Sequence, residues 1–142
     1  MTPSPYRWAV VNQSESPAFE RMIDRLSKVL GPCLLLTGMA HSSGSDSLRL
    51  VRGPAYDRRG LGRRALSWAK FSVVAFARLL RAPRGTFLLA VTNPPSMPAL
   101  AWLLRKIRGL RYGLLVWDIY PDHVVRMGWL RAGNPLVRAW SS

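Results

Sequence analysis

An apolar run that stops at an Asn-Pro-Pro corner constrains the fold of this chain more than any other feature. Residues 87–91 read Phe-Leu-Leu-Ala-Val, which has the length and character of a buried β-strand. The tandem prolines at 94–95 lack backbone donors, so they cannot extend a central strand and must end this one. Residues 97–107, rich in Ala, Leu and Trp, are then predicted to form a helix that ends at Gly109.

A second apolar run, 112–117, follows that helix and stops at Asp118. Strand, helix and strand together have about the length that a right-handed parallel crossover needs. Open parallel sheets bind ligands beyond the carboxyl ends of their strands. The sequence therefore predicts that the strands at 87–91 and 112–117 run side by side and bring Asn93 and Asp118 to one crevice.

The rest of the chain repeats the alternation of strands and helices. Aromatic, β-branched or leucine-rich runs between Gly, Pro and Ser segments predict further strands at 6–11, 33–37 and 48–51. Apolar residues at helical spacing predict helices at 16–30 and 63–81, and shorter helical segments at 123–130 and from 136. This order predicts an α/β three-layer sandwich with a mostly parallel sheet, in one domain over residues 1–142.

Polar residues collect at the predicted ligand edge of this sheet. They are Asn12, Gln13, Gly38, Thr92, Asn93, Asp118, Tyr120 and Asp122. A carboxylate just past a buried strand can orient a hydroxyl group of a substrate or stabilise developing positive charge. Two structural alternatives stay open: Asp118 can simply cap the next helical segment, and the Asn-Pro-Pro corner can simply launch a helix. No metal site is predicted, because His41 and His123 lack a partnering cysteine cluster.

The excess of positive charge in this sequence indicates an anionic binding partner. Twenty-one Lys and Arg against seven Asp and Glu give a net charge of +14. Six arginines lie in the segment 49–64, which is predicted to be a mobile basic loop. The following helix is predicted to carry a basic stripe, within an arc of about 80°, that consists of Arg63, Lys70, Arg78 and Arg81. The stretch between Lys70 and Arg78 is too short to span a membrane but could lie on its surface. The alternative for such a stripe is a solvated face.

Cys33 is the single cysteine of the chain. One cysteine excludes an internal disulfide and fits a reducing compartment, and its place in an apolar run predicts a packing role. The amino terminus has no long apolar segment behind a basic start, so no signal peptide is predicted. Together these features favour a cytoplasmic location.

Several of these motifs resemble those of a known family. They are Val-Val-Asn-Gln at 10–13, Leu-Thr-Gly at 36–38, Thr-Asn-Pro-Pro at 92–95, and Val-Trp-Asp-Ile-Tyr-Pro-Asp at 116–122 followed by Met-Gly at 127–128. In this order they resemble the amino-terminal half of family 4 glycosyltransferases, and most of all the WbuB-like branch, which is associated with bacterial surface polysaccharide assembly.

The resemblance implies the Rossmann-like, acceptor-binding first domain of a GT-B enzyme. Such an enzyme transfers a sugar with retention of configuration and without an essential metal or other cofactor. It implies Asp118 as a catalytic residue, and contacts to substrate from Asn12, Gln13, Asn93, Pro94, Asp118, Tyr120 and Asp122. The implied acceptor is a lipid-linked saccharide at the inner face of the plasma membrane, with the stripe on an anionic membrane surface, and no nucleic acid is expected as a partner.

Two features depart from the family pattern. The donor-side signature of two glutamates separated by seven residues is absent, since Glu15 and Glu20 are the glutamates of this sequence. The nucleotide-sugar donor is therefore expected to bind a second domain, and this chain is expected to be truncated and inactive alone. The segment 12–20 also contains no glycine, whereas many members have a glycine-rich loop there. The alternatives are a non-enzymatic basic module for anionic lipid or nucleic acid, and a truncated, nonfunctional reading frame.

Overall fold

Five strands and three helices alternate along the part of the chain that the computed structural model describes, residues 6–14, 16–39 and 45–117. The strands are β1 (Trp8–Asn12), β2 (Cys33–Thr37), β3 (Leu48–Arg52), β4 (Phe87–Val91) and β5 (Arg111–Leu115). The helices are α1 (Pro17–Leu30), α2 (Leu61–Leu80) and α3 (Met97–Arg108). The predicted short helical segments at 123–130 and from 136 lie outside the described residues.

All five strands are parallel and lie in the order β3-β2-β1-β4-β5. This is an α/β architecture with a Rossmann-like sheet, so the predicted fold class is confirmed at that level. β4 and β5 are neighbours, paired from Phe87 with Arg111 to Val91 with Leu115, as the predicted crossover requires. The strand order reverses between β1 and β4, which makes the carboxyl ends of these two strands the switch point of the sheet.

Helices cover both faces of the sheet and give the predicted three layers. Successive strand residues point to opposite faces, so each strand contributes to two cores. One core joins α1 to the sheet through Trp8, Val10, Phe19, Ile23, Cys33 and Leu35. The other joins α2 and α3 to the sheet through Ala9, Val11, Leu36, Phe71, Leu79, Met97 and Leu104. Cys33 is buried, and burial raises the pKa of its thiol to about 12, which fits the packing role predicted for it.

Local sequence signals set the helix boundaries. The Ser16 hydroxyl accepts a hydrogen bond from the backbone N–H of Phe19 at 3.3 Å and caps α1, which begins at Pro17. Gly109 adopts a left-handed conformation, with φ of 69°, and ends α3 as predicted. Three basic residues in the last turn of α3 complement the negative end of the helix dipole.

The fifth strand differs from the prediction in its bounds and its burial. The apolar run at 112–117 predicts a strand over its whole length, but β5 ends at Leu115. Val116 and Trp117 follow it with 60% and 58% of their surface exposed. β5 is the edge strand of the described sheet, so the α-helices on the two faces cover it less completely than they cover β1.

Candidate functional site

A cavity of about 200 Å³ lies at the switch point, beyond the carboxyl ends of β1 and β4. We call it the switch-point pocket. Its lining residues are Asn12, Ser14, Ser16, Phe19, Arg58, Val91, Asn93 and Trp117. The strand ends, the start of α1 and the loop before α2 therefore meet where open α/β sheets bind their ligands.

Asn12 is the last residue of β1 and lies in the wall of this pocket. The residue is 4% exposed, and its Oδ1 atom is buried without a hydrogen-bond partner among the described residues. An unsatisfied buried acceptor costs about 1–3 kcal/mol. A ligand hydroxyl that donated a hydrogen bond to this oxygen would remove that cost.

Asn93 approaches the same pocket from the end of β4. Its backbone carbonyl accepts a hydrogen bond from the N–H of Gln13 at 3.2 Å, which ties the ends of β1 and β4 together. Pro94 follows through a cis peptide bond and is buried. Asn12 and Asn93, both predicted as substrate contacts, thus line one cavity, whereas Pro94, also predicted as a substrate contact, is buried and is not among the lining residues.

Arg58 supplies positive charge to the pocket from the loop between β3 and α2. Its Nη2 atom lies 3.5 Å from the Ser14 hydroxyl, and its guanidinium carbon lies 5.5 Å from the centre of the Tyr56 ring. The neighbouring carboxylate, Asp57, accepts two hydrogen bonds from the Arg59 guanidinium at 3.1 Å and one from the Arg59 backbone N–H at 2.9 Å, and these lower its pKa to about 2. Because Asp57 pairs with Arg59, it does not neutralise Arg58.

The amino terminus of α1 also borders the pocket, at Ser16 and Phe19. A helix amino terminus attracts anions through its free N–H groups and its dipole. Here Ser16 already accepts one of those N–H groups, and the buried Glu20 places a carboxylate in the first turn. The attraction of the pocket for an anion therefore depends mainly on Arg58.

Two aromatic rings form the apolar side of the pocket. Phe19 and Trp117 meet edge to face, with ring centres 5.7 Å apart and an angle of 81° between the planes. The backbone N–H of Trp117 donates to the Thr92 hydroxyl at 3.1 Å, and the backbone N–H of Thr92 donates to the Leu115 carbonyl at 3.1 Å. Thr92, predicted at the ligand edge, thus fixes the chain after β5 against the end of β4 and positions the Trp117 ring.

Gln13 has a different environment from the one predicted for it. Its side chain is fully buried, is not part of the pocket lining, and donates hydrogen bonds to the carbonyls of Pro54 at 3.2 Å and Ser67 at 3.1 Å. Gln13 therefore joins the end of β1 to the loop that carries Arg58 and to α2. Sequence placed it correctly at the end of β1, but its amide faces the protein interior.

Replacing Gln13 with leucine should lower the free energy of unfolding by roughly 1–2 kcal/mol, because the carbonyls of Pro54 and Ser67 each lose a hydrogen bond from the Gln13 amide. Urea denaturation followed by circular dichroism measures this change. The substitution Ser14→Ala, one residue along and partly exposed, serves as the control and should leave stability nearly unchanged. Equal stability of the Gln13→Leu variant and the unmodified chain would contradict an anchoring role.

Three predicted site residues, Asp118, Tyr120 and Asp122, lie outside the described residues. Asn93 and the end of β5 do share one edge of the sheet, and Trp117, the residue before Asp118, lines the pocket. Sequence reasoning missed Ser14, Arg58, Phe19 and Trp117 as lining residues. Trp117 lies in the motif at 116–122 that carries the family resemblance, so that motif could have indicated Trp117 as a residue of the site.

The basic stripe predicted on α2 lies on the surface. Its members, Arg63, Lys70, Arg78 and Arg81, are all exposed. Arg63 and Lys70 border one shallow depression beside Asp57, and Arg78 and Arg81 border a different cavity near Tyr6. The segment 49–64, predicted to be mobile, is anchored by Gln13 and by a hydrogen bond from the Asp57 N–H to the Ser67 hydroxyl at 3.3 Å.

Comparisons with protein-family models, with curated proteins and with solved structures found no match. Across residues 6–14, 16–39 and 45–117, no group of three or more His, Cys, Asp or Glu is placed to hold a metal ion. In the same part of the chain, no helix is long and apolar enough to cross a membrane.

Proposed function

We propose that this chain is the acceptor-binding domain of a glycosyltransferase of the GT-B type. In this proposal the switch-point pocket binds a phosphate-linked sugar of a lipid-linked saccharide acceptor. The observation that carries the proposal is the meeting of three residues in the lining of one cavity: Asn12, whose buried Oδ1 is unpaired among the described residues, the unneutralised Arg58, and Trp117. The parallel sheet with its switch point supports the Rossmann-like part of the proposal.

Each of the three groups matches one part of a sugar phosphate. A sugar hydroxyl can donate to Asn12 Oδ1, a phosphate can accept hydrogen bonds from the Arg58 guanidinium, and the apolar face of a sugar ring can pack on Trp117. The volume of about 200 Å³ is below the roughly 300–1,000 Å³ of sites for larger organic ligands. The pocket therefore suits one sugar unit or its phosphate better than a whole nucleotide sugar.

The remaining parts of the reaction are assigned by proposal. The nucleotide-sugar donor binds a second domain, Asp118 acts as the catalytic residue, and Tyr120 and Asp122 bind the acceptor with it. The exposed stripe of Arg63, Lys70, Arg78 and Arg81 holds the domain on the anionic inner face of the plasma membrane. Such contacts contribute about 1 kcal/mol per basic residue near the surface.

A binding titration of the whole chain tests this function. A short-chain prenyl-diphosphate-linked hexose should bind, and the substitution Arg58→Gln should weaken its binding about tenfold or more, because a charge-assisted hydrogen bond is lost. Asn93→Ala should also weaken binding, by a smaller factor. Arg105→Gln is the matched control, since it removes one exposed arginine from α3, away from the pocket, and should leave affinity unchanged.

Two results would contradict the proposal. One is binding of a nucleotide sugar by this chain as tight as its binding of the lipid-linked hexose. The other is equal affinity of the Arg58→Gln and Arg105→Gln variants for the hexose. A DNA oligonucleotide titrated across a salt series tests the alternative of a basic nucleic-acid module, for which binding would be tight and would fall steeply with salt.

A further inference from the structure

A second and larger cavity, of about 560 Å³, lies between the end of α2 and the strands β2 and β3. We call it the arginine pocket. Its lining residues are Tyr6, Leu34, Arg49, Val51, Arg78, Arg81 and Pro83. Tyr6 precedes β1, and Pro83 lies between α2 and β4, so the cavity is toward the amino-terminal edge of the sheet. The switch-point pocket is at the carboxyl edge.

Three arginines converge on this cavity without a carboxylate to balance them in the described part of the chain. The ion pairs among the described residues are Lys28 with Asp24 and Arg59 with Asp57, and none of these four residues lines the cavity. Arg81 donates one hydrogen bond to the carbonyl of Ala77 at 3.2 Å, which leaves most of its donors for other groups. Three like charges around one cavity repel each other, and a bound anion would relieve that repulsion.

The walls between the arginines are apolar. Leu34, Val51 and Pro83 contribute aliphatic surface, and the mostly buried Tyr6 contributes its ring. Burial raises the pKa of the Tyr6 hydroxyl, while Arg49 and Arg78 act in the opposite direction. The net direction is upward, so Tyr6 stays protonated at neutral pH and does not cancel the positive charge of the cavity.

We propose that the arginine pocket binds a phosphate ester that carries an apolar chain. Guanidinium groups form forked hydrogen bonds with phosphate oxygens, and the aliphatic walls offer a place for the attached hydrocarbon. The volume lies within the range usual for small organic ligands. A free alkyl phosphate and the headgroup region of an anionic lipid present the same chemistry. This site is separate from the proposed acceptor site, but it shares Arg78 and Arg81 with the basic stripe. Arg49 lines the pocket and is not a member of the stripe, so its substitution distinguishes binding in the pocket from attraction of the stripe to a membrane.

Hexyl phosphate is the probe for the free ligand. Inorganic phosphate and hexanol, which carry its charged part and its apolar part separately, are the comparison compounds. In calorimetric titrations of the whole chain, hexyl phosphate should bind more tightly than either half. Arg78→Gln and Arg49→Gln should each weaken its binding about tenfold. Arg21→Gln is the matched control, because it removes one exposed arginine from α1, on the opposite face of the sheet, and should leave the affinity unchanged.

Phosphatidylcholine vesicles with and without phosphatidic acid distinguish the two sources of the ligand. Binding of monomeric hexyl phosphate supports a free phosphate ester, whereas binding only to phosphatidic acid vesicles, lost in Arg49→Gln, supports a lipid headgroup, because Arg49 lines the pocket and is not part of the basic stripe. Equal losses in Arg78→Gln and Arg21→Gln would overturn the proposal, because they would show attraction by net charge alone. Measurable binding of hexyl phosphate and inorganic phosphate with equal affinity would overturn it as well. So would displacement of bound hexyl phosphate by a DNA oligonucleotide but not by another alkyl phosphate.

Discussion

Replacing Phe71 with alanine should lower the free energy of unfolding by about 3–5 kcal/mol. Phe71 lies in the middle of α2, is fully buried, and belongs to the core between α2, α3 and the sheet. A Cβ atom at Gly53 would lie 3.0 Å from its ring, so the ring also packs against the loop after β3. Such a loss is a large part of the roughly 5–15 kcal/mol that stabilises a typical domain.

Urea denaturation of the Phe71→Ala variant, followed by far-ultraviolet circular dichroism, measures this effect. Val73→Ala is the control on the same helix, because Val73 is 68% exposed and its truncation should cost less than about 0.5 kcal/mol. Similar stability of the two variants would show that α2 does not pack on the sheet through Phe71.

The packing of α2 also bears on the switch-point pocket. The N–H of Gly53 donates to the Thr37 carbonyl at 2.7 Å, and the N–H of Asp57 donates to the Ser67 hydroxyl of α2. Tyr56 stacks on Trp68, also on α2, with ring centres 6.2 Å apart. The loop that presents Arg58 is thus held by β2 at one end and by α2 along its length, so loosening α2 should also disturb the pocket.

The sequence predicts the fold well where one local rule decides the outcome. β1, β2 and β4 are continuous apolar runs because both faces of a central parallel strand are buried. Asn12 and Asn93 could be assigned to one site because each follows such a run, and the carboxyl ends of parallel strands meet at one edge.

The parts that sequence did not predict depend on which elements become neighbours. Strand order is not encoded in any single run, so nothing local shows that the loop carrying Arg58 lies beside Ser14. Gln13 illustrates the same limit, because its position after β1 predicts the ligand edge, whereas the carbonyls of Pro54 and Ser67 determine where its amide points. Asp118 stays a prediction from its motif, with Trp117 as the last described residue before it.

Replacing Gly38 with alanine should destabilise the chain by about 3 kcal/mol, toward the upper end of the cost of overpacking. A Cβ atom at Gly38 would lie 2.7 Å from the backbone oxygens of both Gln13 and Pro54. Backbone atoms on two sides cannot move aside as a flexible side chain could. The N–H of Gly38 also donates to the Gln13 carbonyl at 3.1 Å, so an added methyl group would push β1 and the loop after β3 apart.

Gly62→Ala is the matched control for this glycine. Apart from its chain neighbours and the backbone of its own helix, no atom of the described residues lies within 4 Å of a Cβ at Gly62. This glycine is in the first turn of α2, so alanine should stabilise the helix by up to about 1 kcal/mol. Denaturation curves of the two variants should therefore shift in opposite directions. Because the Gly38 variant also displaces the loop that carries Arg58, it should bind the lipid-linked hexose more weakly even where it remains folded. A Gly38→Ala variant with unchanged stability and unchanged affinity would show that β1, β2 and this loop do not meet at Gly38.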